Sequence, residues 1–542
     1  MASWREAFAL SKSQVQDASP PGTVEIFDEP SNLCKPVDVG DTEGATPNAS
    51  IVLFPKPSAD PRDPLNLPTW RRIAALLTAS IYAFVANYLS SLMAPSLQMW
   101  PAQFPNDPQP QFRLTRLIAV NILMLGASNI WWVPLSNWAG RRPVLIIATL
   151  MMTVCSVWGA TATSYNSLLA ARIFQGAGGG ASETVAPALV GDMFFAHERG
   201  RAMTLRLTGA TEQAVYTIFL AAGATAGGLS GGYIAFHYGW DSTFWVSVAL
   251  AGFCFLTTLV FVPESLFDRA EPSSPELSDE KRKGQAIHEE SHELVEPVSL
   301  VASLGFRRPT GSLVDHFTRP WRALLLPGTW VVTLHYAGLV GGIVTISTVG
   351  ANQMAMPPYS WGANAGLVNI GGLVGVVLGY IYTYVLSDAR FKKKAKVRGH
   401  GMSEAEDRLP LLAFPLALST CGFFVFGFCA QYPGGTRWVG LQVGFAMLSF
   451  GLMQVPSIGF NYLIDAYTVA ASDCFTVATI IRSCIAFAWT FFVSDWEHKT
   501  GPAEPFGIFG MLMGLFSLTT IPLWLYGKRL RIVTAPMIQR WM

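Results

Sequence analysis

The sequence predicts an all-α membrane protein of about twelve spanning helices arranged as two six-helix halves. Three observations carry this expectation. The 542 residues are 51% hydrophobic and only 13% charged, against about 25% charged in a soluble domain, and mean hydropathy is +0.35. Apolar stretches of about 20 residues, the length that crosses a ~30 Å hydrocarbon core, recur along the chain. They fall into two sets separated by a polar gap at residues 263–322.

In chain order, residues 1–70 are polar and read as a disordered cytosolic tail. No apolar h-region lies within Met1–Ser50, so no signal peptide is expected. Asn48-Ala49-Ser50 fits a glycosylation acceptor that a cytosolic position would leave unused. The N-terminal half, 71–262, holds spans near 72–94, 115–137, 144–163, 167–190, 216–236 and 242–262. The segment 263–322 is a cytosolic central loop. The C-terminal half, 323–527, holds spans near 323–347, 364–386, 409–430, 437–461, 474–495 and 506–526, and 528–542 is a short cytosolic tail. Arg141-Arg142, Arg199/Arg201, the cluster from Arg390 to Arg398, and Lys528, Arg529 and Arg531 all fall on one side. The positive-inside rule puts both termini and the central loop in the cytosol; a plasma-membrane location is expected. Net charge is +1, so no basic field points to nucleic acid.

Charges inside the spans carry the functional signal. A charged group in hydrocarbon costs roughly 2.5–3.5 kcal/mol on insertion scales and is normally kept for a task. Arg172 and Glu183 are 11 residues apart, so at ~100° per residue they lie within about 20° of one helix face. Both are expected to face one cavity, although each could instead pair with a neighbouring span to fix packing. Arg482 lies in the eleventh span; Asp473, nine residues before it, falls on the opposite helix face and is not its partner.

Other patterns read as structural. The seven cysteines, Cys34, Cys155, Cys254, Cys421, Cys429, Cys474 and Cys484, show no metal-ligand spacing and read as thiols, not a disulfide framework. His288-Glu289-Glu290-Ser291-His292 fits H-E-x-x-H, but it lies in a charged linker without a rigid helix or third ligand, so no metal or cofactor is expected. Gly176, Gly178, Gly179 and Gly180 follow no strand, and Gly223, Gly227, Gly228, Gly231 and Gly232 repeat at close spacing. Both sets read as faces where membrane helices approach closely. Asp192 and Asp465 close the fourth helix of each half, the trace of a parallel repeat.

Taken in order, these residues resemble the major facilitator superfamily over the whole chain, and within it the fungal twelve-spanner drug:proton antiporters, including Hol1-like carriers. Gly140-Arg141-Arg142-Pro143 is similar to the end of the family's loop between helices two and three. Arg172-x-x-Gln175-Gly176-x-Gly178 is similar to the helix-four motif, and Gly223-x3-Gly227-Gly228-x2-Gly231-Gly232 to the antiporter signature of helix five. Pro263-Glu264-Ser265, Asp63-Pro64-Leu65-Asn66-Leu67-Pro68 and Glu406-Asp407-Arg408-Leu409-Pro410 also resemble that branch. Asn137, Trp138 and Val133 depart from the loop motif, and Gly228 stands where the family has proline.

The resemblance implies the major facilitator fold and secondary transport of a small organic molecule by alternating access, as proton-coupled export. Alternatives are proton symport in an uptake carrier, a non-transporting sensor with a carrier fold, and a membrane hydrolase that would need zinc at 288–292. No catalytic residues are expected. Desolvation favours the neutral form of a carboxyl, which makes Glu183, with Arg172, the proton-coupling candidate. Asn87, Tyr88, His335, Tyr336 and Gln454 are the candidate cavity lining. Arg141, Arg142, Asp192 and Asp465 are the candidate cytosolic gate, and Gly176, Gly223, Gly227, Gly231 and Gly232 the packing glycines. The expected partners are a small-molecule substrate, protons and the bilayer, with the chain a monomer. One stretch fits poorly. Residues 206–215, RLTGATEQAV, exceed what the fifth span needs. They read as an insertion, either a cytosolic extension or a splicing error; the competing reading makes Glu212 a second intramembrane acid.

Overall fold

The computed structural model describes residues 63–193, 212–267, 312–383, 402–467 and 470–539, together with Phe8, Ser11, Gln14 and Val24–Glu25. The first ordered turn is set locally. Asp63 is buried, and its carboxylate accepts from the Leu65 backbone N–H at 3.0 Å, capping the turn Pro64–Asn66. Pro68 then leads into the first long helix.

Eleven helices among the described residues are long and apolar enough to cross a membrane. They are α1 (Thr69–Gln103), α2 (Phe112–Ala139), α3 (Arg141–Ala160), α5 (Glu212–Tyr238), α6 (Trp240–Phe261), α7 (Pro327–Ala355), α8 (Gly362–Tyr382), α9 (Ala405–Gln431), α10 (Arg437–Tyr467), α11 (Ala471–Thr500) and α12 (Ala503–Ile538). A twelfth, α4 (Tyr165–Met193), runs 29 residues and carries Arg172, Glu183 and Asp192 among small residues. The chain is thus an all-α, multi-pass integral membrane protein. Gly140 at φ 106° and Gly239 at φ 89° make the one-residue breaks between α2 and α3 and between α5 and α6, a backbone region that only glycine enters freely.

Several boundaries differ from the sequence reading. Pro327 fixes the start of α7, four residues after the expected start at 323, and α7 runs on to Ala355. The last helix of α12 runs to Gln539, so Lys528, Arg529 and Arg531, in the segment read as a tail, are helical. The reason is local neutralisation. Buried Arg531 pairs with Glu404 at 2.7 Å and Glu406 at 2.5 Å, and Lys528 pairs with Glu404 at 2.8 Å. Within residues 1–70, Val24–Glu25 forms an antiparallel pair with Met402–Ser403. Helix α5 already begins at Glu212, so the last four of the ten supposedly inserted residues belong to its first turn; residues 206–211 and the 288–292 motif lie outside the described residues.

In the N-terminal half α1 packs on α4, α5 and α6, and α4 on α2 and α3. In the C-terminal half α10 packs on α8 and α9, and α7 on α11. Two seams join the halves, α2 against α11 and α5 against α8. At the end away from Arg141 and Asp192, the apolar core of the C-terminal half takes in Met93, Leu97 and Trp100 of α1, and Gln98 donates to Asn352 of α7 at 2.9 Å.

Candidate functional site

Glu183 and Arg482 form a buried ion pair between the halves. Arg482 Nη2 of α11 stands 2.8 Å from Glu183 Oε2 of α4, with side chains 3% and 2% exposed. The Arg482 guanidinium also lies over the Tyr336 ring of α7, 4.7 Å from its centre. The pair is an ion pair by distance but is off-line for a hydrogen bond. Glu183 Oε1 and Arg482 Nε find no hydrogen-bond partner among the described residues. Tyr216, at the start of α5, buries its ring here and donates its hydroxyl to the Ser182 carbonyl. Tyr82 of α1 donates to the Gly178 carbonyl. One carboxylate, one guanidinium and three phenols thus meet where α1, α4, α5, α7 and α11 converge.

Arg172 and Glu183 do not share one cavity; each meets a neighbouring span, the alternative that the sequence left open. Arg172 shares the helical direction of Glu183, but 11 residues at 1.5 Å separate them by about 16 Å along the axis. Buried Arg172 donates instead to the Leu89 carbonyl at 2.9 Å, the Ser90 carbonyl at 3.0 Å and Gln175 Oε1 at 2.7 Å. The regular part of α1 ends at Ser91, and its last carbonyls lack intrahelical partners. Arg172 therefore caps α1, a cation at the negative end of a helix. Asn121 extends the network, taking a hydrogen bond from Ser90 Oγ at 2.6 Å and donating to the Arg172 carbonyl at 2.9 Å.

The expected cavity residues divide. Tyr336 belongs to the ion-pair cluster. Half-buried Asn87 donates to the Ala83 carbonyl at 3.0 Å, and the Tyr88 hydroxyl meets Ser230 of α5 at 2.6 Å, tying α1 to α5. His335 does not reach a cavity. Its Nε2 lies 2.9 Å from the Phe516 carbonyl and 3.2 Å from Thr520 Oγ1, so it packs α7 on α12. Gln454 is likewise fully buried, donating to the Gly379 carbonyl at 2.9 Å and accepting from Thr383 at 2.8 Å, which joins α10 to α8. A polar side chain in an apolar span needs such partners; Gln454 finds them inside the C-terminal half, whereas His335 is held there through Nε2 while its Nδ1 has no hydrogen-bond partner among the described residues.

The candidate gate residues sit in matching places. Arg141, opening α3, is 3.0 Å from Asp192 at the end of α4. Arg408, in the first turn of α9, is 2.7 Å from Asp465 at the end of α10. Arg142 Nε and Nη2 donate at 3.0 Å to the Val262 and Leu259 carbonyls at the end of α6. Glu264 accepts the Arg141 and Arg142 backbone N–H groups at 3.0 and 3.2 Å.

The glycines mark close backbone approaches. Gly223, Gly227 and Gly231 of α5 face the carbonyls of Phe84, Tyr88 and Leu92 on α1, and Gly176 faces Asn121 of α2. Gly228 points the other way, and Gly232 sits between Pro95 of α1 and Ala363 of α8. A Cβ on Gly228 would strike Asn369 of α8, and one on Gly366 would strike the Gly228 carbonyl. Helix α5 thus carries two glycine faces, one within its half and one on the seam between halves. That seam gives a physical account of the glycine at 228.

The sequence reading noted Arg482 but gave it no site, and it placed Tyr216 at the edge of a span. The usable signal was the lone cation of the eleventh span. No group of metal-binding side chains occurs among the described residues.

The profile described as Major Facilitator Superfamily matches residues 72–492. The chain is similar to protein HOL1 of Saccharomyces cerevisiae, 22% identical over 96% of both chains. It is also similar to the efflux pump FUBT of Fusarium oxysporum, 27% identical over 80% of this chain and 69% of that one. Among solved structures it is similar to the partially occluded, inward-open xylose transporter XylE from E. coli, with TM-score 0.56, 14% identity, and 84% and 98% of the two chains covered.

Proposed function

The chain belongs to the Major Facilitator Superfamily, and from that premise we propose that it is a proton-coupled carrier that exports a small organic molecule by alternating access. General transport follows from the family. The finer reading rests on one observation, the buried Glu183–Arg482 pair that joins the two halves. In alternating access the halves rock against one another around a central site. A carboxyl on that joint, neutral or ionised, changes how strongly the halves hold together. Glu183 is the proton carrier in this reading, and Arg482 takes the role first expected of Arg172.

Tyr336, Asn87 and Tyr88 border the substrate path. Arg141–Asp192 and Arg408–Asp465 brace the inner mouth, one pair in each half. The glycine faces of α5 are the sliding surfaces. The chain acts as a monomer in the plasma membrane, with both termini cytosolic and no nucleic-acid partner. Export is favoured by the relative named an efflux pump. Co-transport is the second reading: Gly228 replaces the signature proline and packs on Asn369, so the antiporter pattern of helix five is incomplete.

The test compares metabolites in cells lacking and expressing the chain, with and without a protonophore. The expected result is at least one small organic molecule whose distribution follows expression and collapses with the pH gradient. No expression-dependent metabolite would sink the transport reading. A distribution indifferent to the gradient would remove the proton.

A further inference from the structure

We propose that Arg482 is the binding site for the single negative charge of an aromatic carboxylate substrate, and that the site opens when Glu183 takes up a proton. This rests on the proton-coupled reading above in its second form, co-transport, and adds the chemical class of substrate.

Arg482 has unmet hydrogen-bonding capacity. A guanidinium carries five N–H donors in a rigid fork and does not lose its charge. Arg482 uses that fork poorly: it holds one off-line contact to Glu183, its Nε has no acceptor, and the side chain is 3% exposed. Glu183 Oε1 is equally unmatched. Carboxylates suit such a fork because two parallel N–H···O bonds can form at once. The Tyr336 ring beneath the guanidinium and the buried Tyr216 supply aromatic walls.

Charge decides which ligand fits. The ionisable groups facing the pair are Tyr216 from α5 and Tyr336 from α7, with Tyr82 of α1 beside Tyr216; Arg172, on α4 itself, is held by α1 carbonyls. Tyr82 and Tyr216 already donate to backbone carbonyls. Glu183 is the one carboxyl of the set. With Glu183 ionised the cluster is neutral. With Glu183 protonated it carries one buried positive charge, which is expensive without a partner. An anion restores neutrality. A cationic ligand would leave an extra positive charge in either state. Proton and anion therefore occupy the same conformation and cross together, so coupling is co-transport, and net flux follows the product of their concentrations on the two sides.

The test uses the purified full chain in detergent, where no gradient exists, so its outcome is separate from that of the transport assay. The probes are benzoate, benzamide and benzylamine, one ring with charge −1, 0 and +1. Unfolding midpoints are read at about pH 5.5 and about pH 8, at both of which the benzoate probe itself stays mostly ionised. Benzoate is expected to raise the midpoint at a concentration about tenfold lower at the acid pH, while the other two probes do nothing. Glu183→Gln, a fixed neutral side chain, should make the benzoate response the same at both pH values. The double variant Glu183→Gln/Arg482→Gln, neutral throughout, should unfold cooperatively and ignore benzoate. A response to benzylamine, no response of the wild-type chain to benzoate, or a benzoate response that survives loss of Arg482 overturns the proposal. The wild-type arms need no variant to fold.

Discussion

Arg482→Met tests whether the pair that joins the halves is energetically real. The substitution keeps an apolar stem of similar length and removes the charge, leaving the Glu183 carboxylate, 2% exposed, without its cation. Breaking a buried pair from one side costs about 3–5 kcal/mol, because a charge is left uncompensated. Losing the contact with Tyr336 adds roughly 0.5–2 kcal/mol. Glu183→Gln should cost about 3–5 kcal/mol for the same reason. Glu183→Gln/Arg482→Met removes both charges, and a buried pair replaced by neutral groups is often close to neutral in stability. The two single losses would sum to roughly 6–12 kcal/mol, so a double variant costing less than about 3 kcal/mol means a coupling well beyond the ~0.5 kcal/mol scatter of independent sites. Unfolding can be followed in detergent with a thiol-reactive dye, since Cys254 and Cys474 are fully buried and react only when the bundle opens. Additive single and double variants would refute the reasoning: Glu183 and Arg482 would then be adjacent without being coupled.

The other predictions can be checked independently. Asp192→Ala should increase labelling from the cytosolic side of a cysteine placed at Asn87, because Arg141 loses its 3.0 Å partner; unchanged labelling counts against the brace. Gly366→Leu should abolish transport while the protein still reaches the membrane, because the added side chain meets the α5 backbone at Gly228 and Leu229; Gly191→Ala, where a Cβ would meet nothing within 4 Å, should be silent. Glu404 gives a pH dependence. Burial raises its pKa, but Lys528 and Arg531 more than offset this and hold it below the ordinary 4.5. A depressed carboxyl stabilises the folded state above its ordinary value and loses that contribution as pH falls through the folded value. Glu404→Gln should therefore flatten the stability profile below about pH 4.5 and lower stability at neutral pH; an unchanged acid limb would contradict this. Deleting residues 206–215 should lower stability, since Glu212–Val215 form the α5 turn that leads into buried Tyr216; a deletion variant as stable as the full chain would restore the insertion reading.

Much of the fold was legible because hydrocarbon imposes a length. Apolar runs of about 20 residues located all twelve helices, even α4, whose Arg172, Glu183 and Asp192 lower its apolar signal. The helix ends were less legible because they depend on partners distant in sequence. Nothing around Arg531 announces a continuing helix; Glu404 and Glu406, which neutralise it, lie 127 and 125 residues earlier. His335 and Gln454 were polar groups in apolar spans, and sequence could not say whether a ligand or a neighbouring helix would satisfy them. A neighbouring helix did so for Gln454, and for His335 at Nε2 alone.

Arg172 and Glu183 show the limit most clearly. Helical periodicity fixed the direction in which each points and said nothing of what stands there. The same 11-residue spacing that aligns them around the helix places them about 16 Å apart along it, beyond any direct pairing. Each charge had to find its counterpart at its own depth. Arg172 met the carbonyl end of α1, which needs only a cation and holds one state. Glu183 met Arg482 of the opposite half, the partner that the proposed proton-coupled mechanism would have it release. A carboxyl paired within its own half could titrate without moving anything, whereas one paired across the seam couples its charge to the contact between the halves. Among the described residues Glu183 is the intramembrane acid in that position, which is why the proposed mechanism assigns the proton to Glu183 and not to Arg172.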